Sequence, residues 1–356
     1  MKILVLSQSD VRRLLPMREC IELMAETLAT LAKGEAVQPL RSMMRIPTGI
    51  LGVMPAYLNP GKALGIKVIS VFPGNHGTEL DSHQGAVLYF EGEHGSLKAV
   101  LDASAVTAIR TAAVSGLATR LLARPDASDL AILGAGVQAL THLEAMLAVR
   151  PVKRVRVWNR TLEHAQDFAA RQTTRLGVPI EATPTAEAAV RGAELICTVT
   201  GSREPVLKGS WLSPGAHINA AGSSVAAARE LDTSAVVRAK LFIDRRESTL
   251  NEAGDFLAPK KEGAIGDDHI RGEIGDLVLG RIKGRESPGE ITLFKSLGIG
   301  VEDVASAHFV YHKALKSRTG VSVEFGSQKF GTDDLKDVKR PSAKAKKKTR
   351  ERAVGR

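Results

Sequence analysis

The stretch LAILGAGVQALTHLEAML, residues 130–147, constrains this chain more than any other. An apolar strand-like run enters it and a helix-like run leaves it. Gly134, Ala135 and Gly136 join the two, with Ala139 three residues further on. A strand that turns into a helix across glycines brings the helix's free N–H groups and partial positive charge to the strand end. The first glycine permits the tight turn, and the second lets an anion approach the backbone. The third position needs a small residue, which Ala139 supplies. Such a loop suits a phosphate, and its surroundings decide which one.

The surroundings are a βαβ unit. RVRVWNR, the next strand-like run, follows the first helix, and a further helix spans about 161–176. In that setting the phosphate is the pyrophosphate of a dinucleotide, cradled by Gly134, Gly136, Val137 and Gln138. The tip of the second strand then chooses the cofactor. An acid there would accept from a ribose 2′-OH, but this chain has Asn159, Arg160 and Thr161. The Arg160 guanidinium suits a 2′-phosphate, so NADP(H) is expected over NAD(H). The next strand end, in CTVTG, sets Thr198 and Thr200 towards the nicotinamide half of the crevice.

The loop arrives only after about 130 residues, so another unit precedes it. KILVL reads as a strand, and Ile21, Met24, Leu28 and Leu31 mark a helix. From 41 to 101, short apolar runs broken by Gly, Pro, Asn and Asp predict a mostly antiparallel sheet. Residues 103–123 are an alanine-rich helix. The expected fold is therefore α/β. A doubly wound parallel sheet at 121–300 follows a β-rich α+β domain at 1–120, which a last helix near 301–325 completes. Residues 331–356 carry ten Lys/Arg and four Asp/Glu, more than half of the chain's net charge of +10. With few large apolar side chains, they are expected to be a disordered basic tail, with weak contacts to nucleic acid at most.

Other classes fall away. No apolar run approaches the about 18 residues of a membrane helix. The two cysteines, Cys20 and Cys197, are far apart, and no export signal is seen, so a cytoplasmic protein is expected. The histidines show no metal-ligand spacing; His308 and His312 are read as a solvated helix face.

A nicotinamide needs a hydride partner, and the first domain offers isolated cations in apolar surroundings: Arg41, Lys67 and Arg110. Together they could grip a carboxylate. A lysine of lowered pKa could also protonate an imine nitrogen.

With these residues in place, the chain resembles the ornithine cyclodeaminase/mu-crystallin family over about residues 1–325. ILGVMPAY, HQGAVLYFE, TAIRTAAVSGLATR, ILGAGVQA, VRVWNRT, PGAHINAAGSS, RELD and FKSLGIGVEDV carry the likeness. The resemblance implies a homodimer whose first domain makes the dimer contact and the substrate site. It adds His83, Thr111 and Lys295 to the cofactor site. Cyclodeaminases place an Asp where this chain has Ser224, and a Glu in the segment matching GILGVMPAY, which is apolar here. The ketimine reductase and pyrroline-2-carboxylate reductase branch is the better match. The expected activity is NAD(P)H-dependent reduction of carboxylate-bearing imines to amino acids, with Ser224 bonding the imine nitrogen or its water. A cyclodeaminase, an open-chain amino-acid dehydrogenase and a non-enzymatic NADPH-binding protein are the alternatives.

Overall fold

The computed structural model describes residues 2–59, 61–75 and 77–326. The basic tail expected at 331–356 lies outside them. Two eight-stranded sheets organise the chain. In the first, the order is Val321–Glu324, Lys2–Leu6, Leu97–Asp102, His83–Glu91, Ala63–Val71, Gly49–Leu58 and Ala36–Val37, with Ser42–Ile46 also pairing to Gly49–Leu58. It is antiparallel apart from the pairing of Lys2–Leu6 with Leu97–Asp102.

The second sheet is parallel throughout. Its order is Ile180–Ala182, Arg154–Trp158, Asp129–Leu133, Leu195–Thr198, His217–Ala220, Ile291–Lys295, Ala239–Ile243 and Ile270–Glu273. Chain order reverses between Asp129–Leu133 and Leu195–Thr198, so the glycine loop leaves the sheet at its switch point. Ligands of doubly wound sheets lie at such a point. Val155, Val157, Ile196, Ile218 and Leu293 are buried on this sheet, as expected where helices cover both faces.

The Ala103–Leu122 helix is buried nearly all round. Its alanines let neighbouring backbones approach, and it packs on the first sheet and against the Val137–Val149 helix. The Asp102 carboxylate caps its start by accepting from Ala105 N at 2.7 Å. The Gly300–Ser317 helix lies on the inner face of the first sheet, where a Cβ at Gly65 would come within 2.9 Å of Val304.

Three features depart from the sequence expectation. The last helix does not close the fold, because Val321–Glu324 returns to pair with Lys2–Leu6. Within 121–300 the parallel sheet includes two strands that no apolar run in the sequence had singled out, Ile270–Glu273 and Ile291–Lys295. His308 is half-buried rather than solvated, with its Nδ1 2.9 Å from the Tyr89 hydroxyl.

Candidate active site

Around the glycine loop, backbone shape does the work. Gly134 has φ +119°, and a Cβ there would meet the Val199 carbonyl oxygen at 2.8 Å. Gly136 precedes the Val137–Val149 helix with no side-chain cap and open space above it. The first N–H groups of that helix are therefore available to an anion. Ala139 is fully buried, as a third small position requires. Gln138 is half-buried, and its Oε1 is buried without a hydrogen-bond partner among the described residues. Val137 is exposed beside it. At the next strand end, Asn159 Nδ2 donates to Thr161 O at 3.0 Å and fixes the tip. Arg160 is exposed and makes no hydrogen bond or ion pair among the described residues. These residues fit a dinucleotide, with a cation left over at the ribose end.

Thr198, Thr200 and Lys295 sit differently from the expectation. The Thr198 hydroxyl is buried and donates to Glu230 Oε2 at 2.8 Å, so it does not line the crevice. Thr200 bonds Glu230 Oε1 through both its N–H, at 2.6 Å, and its hydroxyl, at 2.7 Å. Gly222 N donates to Glu230 as well, at 2.8 Å. One buried carboxylate thus holds together the loops that follow Leu195–Thr198 and His217–Ala220. Asp255 in turn accepts from Glu230 N at 2.7 Å and lies 2.9 Å from Lys295 Nζ. Lys295 is itself buried, donating to Ala220 O at 3.2 Å and to Ser223 O. Its ammonium braces the loop from beneath. Ser224, next in that loop, is half-buried, and its hydroxyl has no partner among the described residues. His83 is exposed at the start of its strand, its Nδ1 3.0 Å from Ser82 Oγ. Thr111 is buried next to Arg110 on the same helix.

The three cations of the first domain converge on the carboxyl ends of the second sheet. Lys67, 2% exposed, points inward from Ala63–Val71 and donates to Asp303 Oδ1 at 3.0 Å and to Thr107 Oγ1 at 3.2 Å. Arg110, 3% exposed, donates from Nε to the same Asp303 oxygen at 2.8 Å and from Nη1 to Glu302 Oε2 at 2.6 Å. Arg41 donates from Nε to Glu252 at 2.8 Å and from Nη2 to Leu297 O at 3.2 Å. Glu302 and Asp303 stand in the first turn of the Gly300–Ser317 helix, which follows the Ile291–Lys295 strand. The turn between them, with Gly298 at φ +70°, packs on the Arg110 guanidinium. Asp244, just past Ala239–Ile243, ties that turn by accepting from Leu297 N at 2.6 Å and Gly298 N at 2.8 Å.

Burial and charge set the electrostatics of this cluster. Burial pulls the Lys67 ammonium down to about 8, with Arg110 adding to the shift and Asp303 opposing it. Burial also works against the Arg110 charge, but Asp303 and Glu302 outweigh it and hold the guanidinium above its usual range. Glu302 is pushed up to about 7 by burial, against the pull of Arg110. Each arginine keeps one nitrogen without a partner among the described residues, Nη2 on Arg110 and Nη1 on Arg41. A buried ammonium next to two such nitrogens can hold a carboxylate and deliver a proton beside it.

Sequence reasoning found the cations and missed the acids. Glu302 and Asp303 occupy a helix's first turn, where acids ordinarily serve the helix dipole. Glu230 and Asp255 carried no spacing signal. Only the rarity of a lone Lys in an apolar strand hinted that a buried counter-ion existed.

Known proteins share this arrangement of sheets. The sequence profile of the ornithine cyclodeaminase/mu-crystallin family matches residues 1–318. The chain is 42% identical over 289 residues to the ketimine reductase mu-crystallin of Mus musculus, covering 80% of this chain and 88% of that protein. The Δ1-pyrroline-2-carboxylate reductase of Thermococcus litoralis, solved with NADH and L-proline, superposes with a TM-score of 0.88 at 39% identity, covering 90% of this chain and all of that one. An archaeal alanine dehydrogenase dimer with bound NAD gives a TM-score of 0.87 at 32% identity, covering 92% of this chain and all of that one.

Proposed function

The chain belongs to the ornithine cyclodeaminase/mu-crystallin family, and on that premise we propose that it reduces carboxylate-bearing imines to amino acids. It is an NAD(P)-dependent oxidoreductase acting on C=N bonds. The observation that carries the reading is the buried Lys67–Asp303–Arg110 cluster at the carboxyl ends of the parallel sheet. The bound dinucleotide supplies the hydride. Arg110 Nη2 and Arg41 Nη1 orient the substrate carboxylate. Lys67 Nζ gives a proton to the nitrogen, directly or through one water, and Ser224 bonds that nitrogen or the water. Asp303 holds the Lys67 ammonium in place between turnovers. NADPH oxidation against pyrroline-, piperideine- and sulfur-containing cyclic ketimine carboxylates tests the reading. Ammonia release from ornithine without NADPH consumption would point to a cyclodeaminase instead.

The cofactor preference is for NADP(H), because Arg160 is exposed and uncommitted where a 2′-phosphate would stand. One charge-assisted contact of about 1.5–3 kcal/mol gives NADPH at least about tenfold tighter binding than NADH. Fluorescence titration of both cofactors checks this, and equal affinities would refute the role of Arg160.

We read the outer face of the first sheet as a dimer contact. Val53, Pro55, Ile66, Val68 and Leu88 alternate with the core residues of their strands and are only half-buried. An apolar sheet face of this kind marks an interface. Sedimentation is expected to show twice the chain mass, and Ile66→Glu to return it to one.

A further inference from the structure

The charged cluster holds more carboxylates than cations. Arg41, Lys67 and Arg110 face Glu252, Glu302, Asp303 and Asp244. Asp244 is served by the N–H groups of Arg245, Leu297 and Gly298. Glu252 has Arg41, and Asp303 has both Lys67 and Arg110. Glu302 is served worst. It is fully buried, and its Oε2 shares Arg110 with Asp303 and receives Ile299 N at a long 3.4 Å. Its Oε1 is buried with no hydrogen-bond partner among the described residues. A carboxylate oxygen in that position is relieved by a proton.

The groups facing Glu302 are few. Arg110 reaches it from the Ala103–Leu122 helix, Asp303 lies next to it on its own helix, and Asp244 approaches from the end of Ala239–Ile243. Cys20 comes from the Met17–Ala32 helix, and burial pushes that thiol up, so it stays uncharged. Lys67 acts at one remove, through Asp303.

Resting on the imine reductase reading, we propose that Glu302 takes up one proton when the substrate carboxylate enters the site. The incoming anion claims the remaining N–H of Arg110 and weakens that cation's hold on Glu302. The proton comes from solvent and goes to Glu302, and no substrate bond changes in the step. Glu302 is then a positioning residue that keeps the cluster's charge constant through binding. The carboxylate affinity should fall as pH rises above about 7, where free Glu302 ionises.

The test uses the enzyme saturated with NADPH and titrated with pyrrole-2-carboxylate, a stable planar carboxylate. Calorimetry at about pH 7.5 in phosphate and in Tris, which differ in ionisation enthalpy, counts the protons taken up. Glu302 is expected to contribute about half to three-quarters of a proton in the wild type and in K67M, and E302Q to take up at most the roughly one quarter that Lys67 can still accept. Uptake retained in E302Q, or lost in K67M alone, overturns the proposal. Should E302Q not fold, pyrrole-2-carboxamide decides in the wild type. It carries no charge and should draw in no proton, and equal uptake by both ligands overturns the proposal. No binding of the carboxylate, together with no turnover on the imine panel, overturns the imine reductase reading itself.

Discussion

Lys67→Met is expected to lower imine turnover by at least about a hundredfold, within the range general acid catalysis contributes. The substitution keeps the length of the side chain and removes the proton donor. NADPH binding, set by the other sheet, should stay within about threefold. In the wild type, turnover should hold below about pH 8 and decline above it, as the Lys67 ammonium loses its proton. Steady-state kinetics across the imine panel check both results. Full turnover in Lys67→Met would make the lysine structural and place the proton donor elsewhere.

Arg110→Met is expected to cost more than substrate affinity. Arg110 is the shared partner of Glu302 and Asp303, both fully buried. Removing one partner of a buried pair leaves an uncompensated charge and costs about 3–5 kcal/mol. The melting point should fall by roughly 6–20 °C at 2–4 °C per kcal/mol. The sign of the pH effect follows from Glu302. Burial already holds it up at about 7, and losing the arginine's pull raises it further, so the native variant binds more protons than the wild type. Its stability is then greatest at low pH and is lost as pH rises through the raised value. The deficit should be smaller near pH 6 than near pH 8, measured by thermal melts of both proteins. An unchanged melting point would mean the carboxylates find other partners.

The parallel sheet was legible because its signals are local. Gly134 and Gly136 must lie at a strand-to-helix turn, and the spacing of Ile21, Met24, Leu28 and Leu31 can only be a helix. The cations were legible because a charged residue in an apolar run is unusual. Their partners were not. Asp303 lies 236 residues from Lys67, and nothing in the sequence around either names the other. The strand Val321–Glu324 was missed for a related reason. Val-Ser-Val-Glu does alternate apolar and polar, but four residues are too few to stand out just after a helix, and only the pairing with Lys2–Leu6 makes them a strand.

The sheet that carries Lys67 begins with residue 2 yet takes its edge strand from 321–324 and its covering helix from 300–317. A ribosome delivers those pieces only after every strand of the parallel sheet. Until then the nascent chain carries Met54 and Ala56 on an inner face that the Ala103–Leu122 helix covers only in part, with the Lys67 ammonium lacking its counter-ion. The parallel sheet, made of residues 129–295, emerges as one uninterrupted stretch and can form first. The reactive centre is therefore assembled last, and a chain that stalls before Gly300 presents an apolar surface to chaperones instead of an enzyme.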